Sequence, residues 1–341
     1  MFVPASATTM EPMITVESLS KKYGKQLAVS DLSFQVPDAA VTGFLGPNGS
    51  GKSTTMRCIL GLDAPSAGQA LFDGESFATI KDKPAVAGAL LEATWFTPGR
   101  SGRSHLRTLA RGAGISDSRV EKCLEIVGLT AAGDKRVGGY SLGMKQRLGL
   151  AGALLGDPKH LILDEPVNGL DPEGVSWMRR TIRALSAEGR SVLVSSHLLS
   201  EMQLTADRLV VIGKGRMIGE YSMEEFLAGG SRVLVETVDS VSGVNLGTAL
   251  RGAGFEVGEG AAAQRPELTV AIPDGSDEAE VRRAVGEIAL TSGVPVTGLK
   301  TQADDLESRF LAATSDVQEY RTDDVATRPA DRTADLATER N

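Results

Sequence analysis

Nine consecutive residues, Gly46-Pro47-Asn48-Gly49-Ser50-Gly51-Lys52-Ser53-Thr54, carry the most specific chemistry in this chain. They follow the apolar run Val41-Thr42-Gly43-Phe44-Leu45 and precede the helical pattern Thr55-Met56-Arg57-Cys58-Ile59-Leu60. Strand, glycine-rich loop and helix start, in that order, are the setting of a phosphate-binding loop. Glycines let the backbone curl until several N–H groups face one concavity. The helix N-terminus adds its partial positive charge to the same point. In such a loop Lys52 reaches the β- and γ-phosphates, and the Ser53 hydroxyl ligates Mg²⁺. A merely flexible glycine turn has no reason to match the pattern between a strand and a helix. The stretch implies a bound nucleoside triphosphate.

Two other apolar runs stop abruptly at polar groups. His160-Leu161-Ile162-Leu163 ends in the adjacent carboxylates Asp164 and Glu165, and Ser191-Val192-Leu193-Val194 ends in Ser195-Ser196-His197. Continuous apolarity suits parallel strands covered on both faces, and ligands bind at the C-terminal ends of such strands. Paired carboxylates there, in a chain with a phosphate loop, favour catalysis over a solvated strand end. Tyr140-Ser141-Leu142-Gly143-Met144-Lys145-Gln146-Arg147 runs into an apolar helix at 148–155. Taken alone, Ser141-Leu142-Gly143 reads as an ordinary helix cap. Tyr23, at a turn with Gly24, could stack on a purine or sit half-buried at a strand end, and spacing leaves both open. His105 and His160 read as incidental.

The elements that hold these groups follow from the pattern. Ile14 to Val36 alternates in short strands and predicts an antiparallel piece leading into the strand before the loop. Helical patterns prevail from Ser104 to Leu155, with breaks at 112–114 and at Gly128, which predicts an inserted helical subdomain. Ser116-Asp117-Ser118 reads as a helix cap within it. Leu209-Val210-Val211-Ile212-Gly213 is one more strand, closed by a hairpin-like Lys214-Gly215-Arg216.

The bulk properties set the frame. A length of 341 residues allows about two domains, each with a core. An apolar content of 41% and a charged content of 23% are those of a soluble globular protein. A net charge of −8 without a basic stripe argues against nucleic acid as a partner. The two cysteines, Cys58 and Cys123, form no disulfide framework or metal spacing and read as core residues of a reduced, cytosolic protein. No apolar run reaches the ~18–20 residues that cross a bilayer, and residues 1–12 lack the features of a signal peptide and read as a disordered extension. Any membrane connection is therefore expected through a partner.

Together the motifs resemble the ATP-binding subunit of an ABC transporter, over about residues 14–221. In the order of that family stand the P-loop, a signature at Ser141–Lys145, the Walker B strand at Leu161–Glu165, a D-loop at Asn168-Gly169-Leu170-Asp171, and the switch histidine after Ser196. The resemblance implies an α/β fold of the ABC-type P-loop NTPase class. It would have a mixed sheet core, an antiparallel β subdomain and a helical subdomain at about 93–156, all within a domain spanning 13–225. Tyr23 would stack on adenine, while Lys52, Ser53 and the amides of Gly46 to Thr54 would hold the phosphates and Mg²⁺. Asp164 would position Mg²⁺, Glu165 would act as general base, and His197 would contact the γ-phosphate. Asp171 would lie at a subunit contact. Ser141 and Gly143 would complete the ATP site of a second copy. The partners implied are an ABC permease in the membrane and the homodimer, without nucleic acid. The location implied is cytoplasmic, peripheral on the inner face of the cell membrane. Within that family the sequence resembles the ATPases of bacterial drug and antibiotic exporters of the lantibiotic or multidrug kind. A soluble ABC-type ATPase or a nucleotide-gated regulator outside transport is the alternative.

Two positions depart from the family pattern. Glu92 stands where a glutamine is usual near the γ-phosphate and the metal; an ionised carboxylate only accepts hydrogen bonds, whereas an amide also donates. Some lantibiotic-type exporters share this glutamate. The signature reads Ser-Leu-Gly-Met-Lys, keeping Ser141 and Gly143 but replacing a glycine by Leu142 and the glutamine by Met144. With the phosphate-facing residues retained, ATPase activity is expected. Residues 230–314 predict a small α+β domain of βαββαβ order, closed by a helix near 304–311. The polar stretch 315–341 is expected to be disordered.

Overall fold

The computed structural model describes residues 12–92, 96–228, 231–259, 267–273 and 276–303. In chain order come β1 (Pro12–Tyr23), β2 (Gln26–Pro37), β3 (Val41–Leu45), α1 (Lys52–Ile59), β4 (Ala67–Phe72), β5 (Glu75–Ser76), α2 (Lys83–Val86) and β6 (Ala87–Leu90). A helical stretch holds α3 (Gly102–Gly112), α4 (Asp117–Ile126) and α5 (Leu142–Ala153). Next are β7 (His160–Leu163), α6 (Pro172–Ala187), β8 (Ser191–Ser196), α7 (Leu199–Gln203), β9 (Arg208–Gly213), β10 (Arg216–Ser222) and α8 (Met223–Ala228). The final elements are β11 (Ser231–Thr237), α9 (Ser240–Gly252), β12 (Val257–Glu259), β13 (Glu267–Ala271), α10 (Glu278–Thr291) and β14 (Val296–Ala303).

The central sheet has the order β10-β9-β3-β8-β7-β6. It is parallel from β9 to β6, with β10 antiparallel at its edge. Every residue of β3, β7 and β8 is buried, as their continuous apolarity requires. The period of two then sorts their side chains between two cores. Val41, Leu45, Leu161, Leu163, Val192 and Val194 face a core shared with Leu106, Leu124, Leu148 and Ile182 of the helices. Phe44, Ile162, Leu193 and Val210 face the other core, with Ile14, Leu32, Phe34 and Met56. That second core is roofed by an antiparallel sheet of order β2-β1-β4-β5. The P-loop thus leaves a strand clamped on both sides, which is what a rigid phosphate cradle needs.

Several expectations are corrected. The short strands expected from Ile14 to Val36 are two strands of 12 residues each. They are bent where Ser18 (φ 45°) and Asp31 (φ 52°) turn left-handed beside shifts in pairing register, as bulges do. Pro12, assigned to the extension, begins β1 opposite Pro37. Ser116 holds the N-cap position of α4, but its hydroxyl pairs with Ser118 Oγ at 2.7 Å and caps no backbone N–H. The last strand, expected over Val294-Pro295-Val296, begins at Val296 and runs to Ala303 because it pairs along β11. The rest of the N-terminal extension, the helix near 304–311 and the tail at 315–341 lie outside the described residues. A third antiparallel sheet, of order β12-β13-β11-β14, carries its own hydrophobic cluster with Leu246 and Leu250 of α9 and Val281 and Val285 of α10.

Candidate active site

β3 delivers the loop and three neighbours hold its shape. Gly46 N donates to Ser196 O at 3.3 Å, which ties the loop to the end of β8. A Cβ on Gly46 would lie 2.6 Å from both Ile212 O and Ser50 Oγ. Gly51 caps α1 with φ 102°, and a Cβ there would lie 2.7 Å from Ala28 O of β2. Both positions accept only glycine. Gly215 N, from the turn between β9 and β10, donates to Ser50 O at 2.9 Å, and Ser30 N donates to Gly215 O at 2.7 Å. Ser50 Oγ is buried without a hydrogen-bond partner among the described residues. An orphan hydroxyl inside the loop is unfavourable alone and is a group that a phosphate oxygen would satisfy.

Lys52 opens α1 and is 6% exposed. Its Nζ donates to Gly46 O at 2.6 Å and Pro47 O at 3.3 Å, and lies 3.4 Å from Glu165 Oε1. Burial lowers its pKa, while the charges of Glu165 and Asp164 oppose that shift and keep the ammonium attracted to the site. Leu90 of β6 pairs with Leu163 of β7, and Asp164 N donates to Leu90 O at 2.7 Å. Ser195 Oγ donates to Asp164 Oδ1 and accepts from Glu165 N at 2.9 Å. Glu165 itself is left-handed, φ 47°. That conformation costs a non-glycine residue about 1 kcal/mol. Its Oε2 lies 2.9 Å from His197 Nδ1. An ionised carboxylate only accepts, so Nδ1 carries the proton in that bond.

Tyr23, residues 48–54 and Glu165 line one cleft of about 470 Å³, with Gln26, Leu27, Ala28 and Lys214. Gly46 and Pro47 are outside that lining and join it through their carbonyls, which accept from Lys52. Asp164 and His197 reach it through Ser195 and Glu165. Glu92 is exposed two residues beyond β6, outside the cleft lining. Ser141, Gly143 and Asp171 are brought together elsewhere. Ser141 Oγ accepts from Met144 N at 3.2 Å and caps α5, and Asp171 Oδ1 accepts from Gly174 N at 2.8 Å and caps α6. A Cβ on Gly143 would be 3.6 Å from Leu170 Cδ2, and one on Gly169 would be 2.5 Å from Leu142 Cδ2. None of the three lines the cleft of its own chain. His160 sits at the opposite end of β7, buried against Phe72.

Sequence reasoning missed Ser195 and Lys214. Ser195 was visible only as part of a polar strand end. Lys214 (φ 44°) and Gly215 (φ 75°) form a two-residue turn with both residues left-handed. Tertiary packing alone puts that turn beside a loop more than 150 residues earlier.

Residues 29–168 match the model of the ABC transporter family. Over 216 residues the chain is 42% identical to the bacitracin transport ATP-binding protein BcrA of Bacillus licheniformis, covering 62% of this chain and 70% of that one. The chain belongs to the ABC transporter family. It is likewise 36% identical over 208 residues to the lantibiotic transport ATP-binding protein SrtF of Streptococcus pyogenes, covering 61% of this chain and 90% of the relative. A solved structure, cbiO1 of Clostridium perfringens, part of the ABC transporter complex cbiONQ, superposes with a TM-score of 0.56 at 28% identity over 63% of this chain and 90% of that one. As an ABC ATP-binding subunit the chain is an ATP hydrolase that powers transport. No helix among the described residues is long and apolar enough to cross a membrane.

Proposed function

We propose that this ABC subunit works as a homodimer on the inner face of the cell membrane and drives a separate permease that exports a peptide antibiotic or drug. The division of the site carries this reading. The phosphate cradle, Lys52 and Glu165 converge in one cleft, with His197 bonded to Glu165 behind it, while Ser141 and Gly143 stand at a helix N-terminus apart from these groups. A second copy would supply that helix tip to the γ-phosphate, where its partial positive charge favours an anion. Asp171 lies beside it at the subunit contact. The bacitracin and lantibiotic transport relatives support a peptide antibiotic as cargo.

Within the cleft, Tyr23 offers a face to the adenine, and the amides of the glycine loop with Lys52 hold the phosphates. Ser53 of the cleft and Asp164 behind it would hold Mg²⁺, and Glu92, exposed after β6, is a further candidate ligand. The metal would neutralise charge on the β- and γ-phosphates. Glu165 accepts a proton from the attacking water as its oxygen bonds to the γ-phosphorus and the bond to the leaving ADP oxygen breaks. For that, Glu165 must exchange its contact with Lys52 for one with water. His197 holds the carboxylate in place from the other side.

The test is Glu165→Gln in the full chain with Mg·ATP, followed by light scattering and phosphate release. The expected result is a lasting ATP-bound dimer and a loss of turnover of at least about 10²-fold, the scale on which general bases act. Unchanged turnover removes Glu165 as base; a species that stays monomeric with ATP removes the shared site. The cargo is tested separately. Deletion in the source organism is expected to raise sensitivity to cyclic or lanthionine peptides, and unaltered sensitivity excludes that class.

A further inference from the structure

Tyr23 ends β1 and is 46% exposed, yet its ring is fastened at two points. The phenol donates to Asp63 Oδ2 at 2.8 Å. Asp63 follows α1 and is held in turn by Arg57, whose Nε donates to Oδ2 at 2.7 Å and Nη2 to Oδ1 at 3.3 Å. Arg57 belongs to α1, the helix that starts at Lys52. Lys21 Nζ sits 4.8 Å from the centroid of the Tyr23 ring while donating to Ala64 O at 2.7 Å. One face of the ring is therefore taken by a cation, and a nucleobase stacking on Tyr23 takes the other. Hydrogen bonds from Arg57 and then Tyr23 hold the Asp63 carboxyl below its usual range, and the bond to Asp63 raises the phenol. The Tyr23–Asp63 contact thus persists across neutral pH. Neither Arg57 nor Asp63 lines the cleft.

A ring that is already oriented loses less torsional freedom when a base stacks on it. We propose that Asp63, braced by Arg57, is a positioning residue for nucleobase recognition: it locks the Tyr23 ring to the P-loop helix as a preformed platform, and the preference of the cleft for a nucleotide over a bare polyphosphate passes through this hydrogen bond. The inference rests on Tyr23 being the base platform. A purely structural tie between β1 and the loop after α1 would alter stability without altering that preference.

The experiment compares dissociation constants for Mg·ATP and for inorganic tripolyphosphate with Mg²⁺, by calorimetry on the full chain. It uses the wild type, Tyr23→Ala, Tyr23→Phe, Asp63→Ala and the double variant Tyr23→Phe/Asp63→Ala. Tyr23→Phe and Asp63→Ala are each expected to weaken ATP about two- to tenfold. Tripolyphosphate binding is expected to stay unchanged, and the double variant to be no weaker than the worse single one. If Tyr23→Ala weakens ATP but Tyr23→Phe and Asp63→Ala match the wild type, the role of Asp63 is overturned while the platform stands. Losses that multiply in the double variant, or that fall equally on tripolyphosphate, overturn it too. If Tyr23→Ala binds ATP like the wild type, the platform itself is wrong, and the inference falls with it. Tyr23→Phe removes one oxygen from an exposed side chain, so it answers the question even if Asp63→Ala does not fold.

Discussion

At Glu165 three constraints meet: a left-handed backbone, an amide held by Ser195 Oγ, and a carboxylate shared between Lys52 and His197. Ser195 also donates to Asp164, so one hydroxyl sets the relation between the two carboxylates. Ser195 is fully buried, and its loss would leave Glu165 N unpaired in a place water reaches poorly. Ser195→Ala is expected to lower kcat for ATP by about tenfold, the equivalent of one buried hydrogen bond, with a smaller change in KM. Steady-state phosphate release checks this, and an unchanged kcat would leave Ser195 a packing residue. His197 and the carboxylate pair were legible as chemistry because polar groups interrupt otherwise buried runs. Ser195 was not singled out, because a small polar residue inside a strand has no signal of its own.

At the scale of elements, the P-loop depends on parts that are distant in sequence. Gly51 meets Ala28 O of β2, and the β9–β10 turn bonds to Ser50 O. Gly51→Ala must both hold φ at 102° and push a methyl against a carbonyl. Those two penalties together are expected to destabilise the chain by about 2–4 kcal/mol, measured by urea unfolding; a loss below about 0.5 kcal/mol would show that the loop relaxes freely. The tip of α5 makes a different forecast. Ser141→Ala removes a cap worth about 1 kcal/mol at a point outside the cleft of its own chain. ATP-dependent dimerisation is expected to weaken while nucleotide affinity of the monomer stays the same. A drop in monomer affinity, seen by calorimetry at low protein concentration, would place Ser141 in its own cleft instead.

At the scale of the molecule, the end of the sheet away from the P-loop holds a buried histidine that the chemistry does not use. The His160 ring packs on Phe72, its Nδ1 lies 3.2 Å from Ser191 Oγ, and its Nε2 lies 3.5 Å from Asp73 Oδ2. Ser191 Oγ donates to Asp38, and Lys159 pairs with Asp73. Burial pushes the imidazole below its ordinary pKa, partly offset by Asp73. The unfolded chain therefore takes up a proton on this residue first as pH falls. The stability that neutral His160 contributes is complete above about pH 6.5 and is lost progressively below it, down to the folded-state value. Urea midpoints at about pH 7.5 and 5.5 are expected to differ less in His160→Gln than in the wild type; equal pH slopes would assign the effect to other groups, of which His105 is the first, since burial lowers it as well.

The residue order alone determined the phosphate loop, the buried strands that end in Asp164-Glu165 and in His197, and the βαββαβ order of the C-terminal elements. Each of these is written in short-range patterns: glycine spacing, continuous apolarity, and periods of two and of 3.6 residues. Only the tertiary structure decided that Glu165 bonds both Lys52 and His197, that Asp63 fastens Tyr23, and that Ser141 and Asp171 stand outside the cleft of their own chain. The physical reason is the range of the interactions. A strand or a helix start is a local balance of torsions and burial, whereas the site is assembled from strand ends that parallel crossover connections place side by side across more than 100 residues of chain.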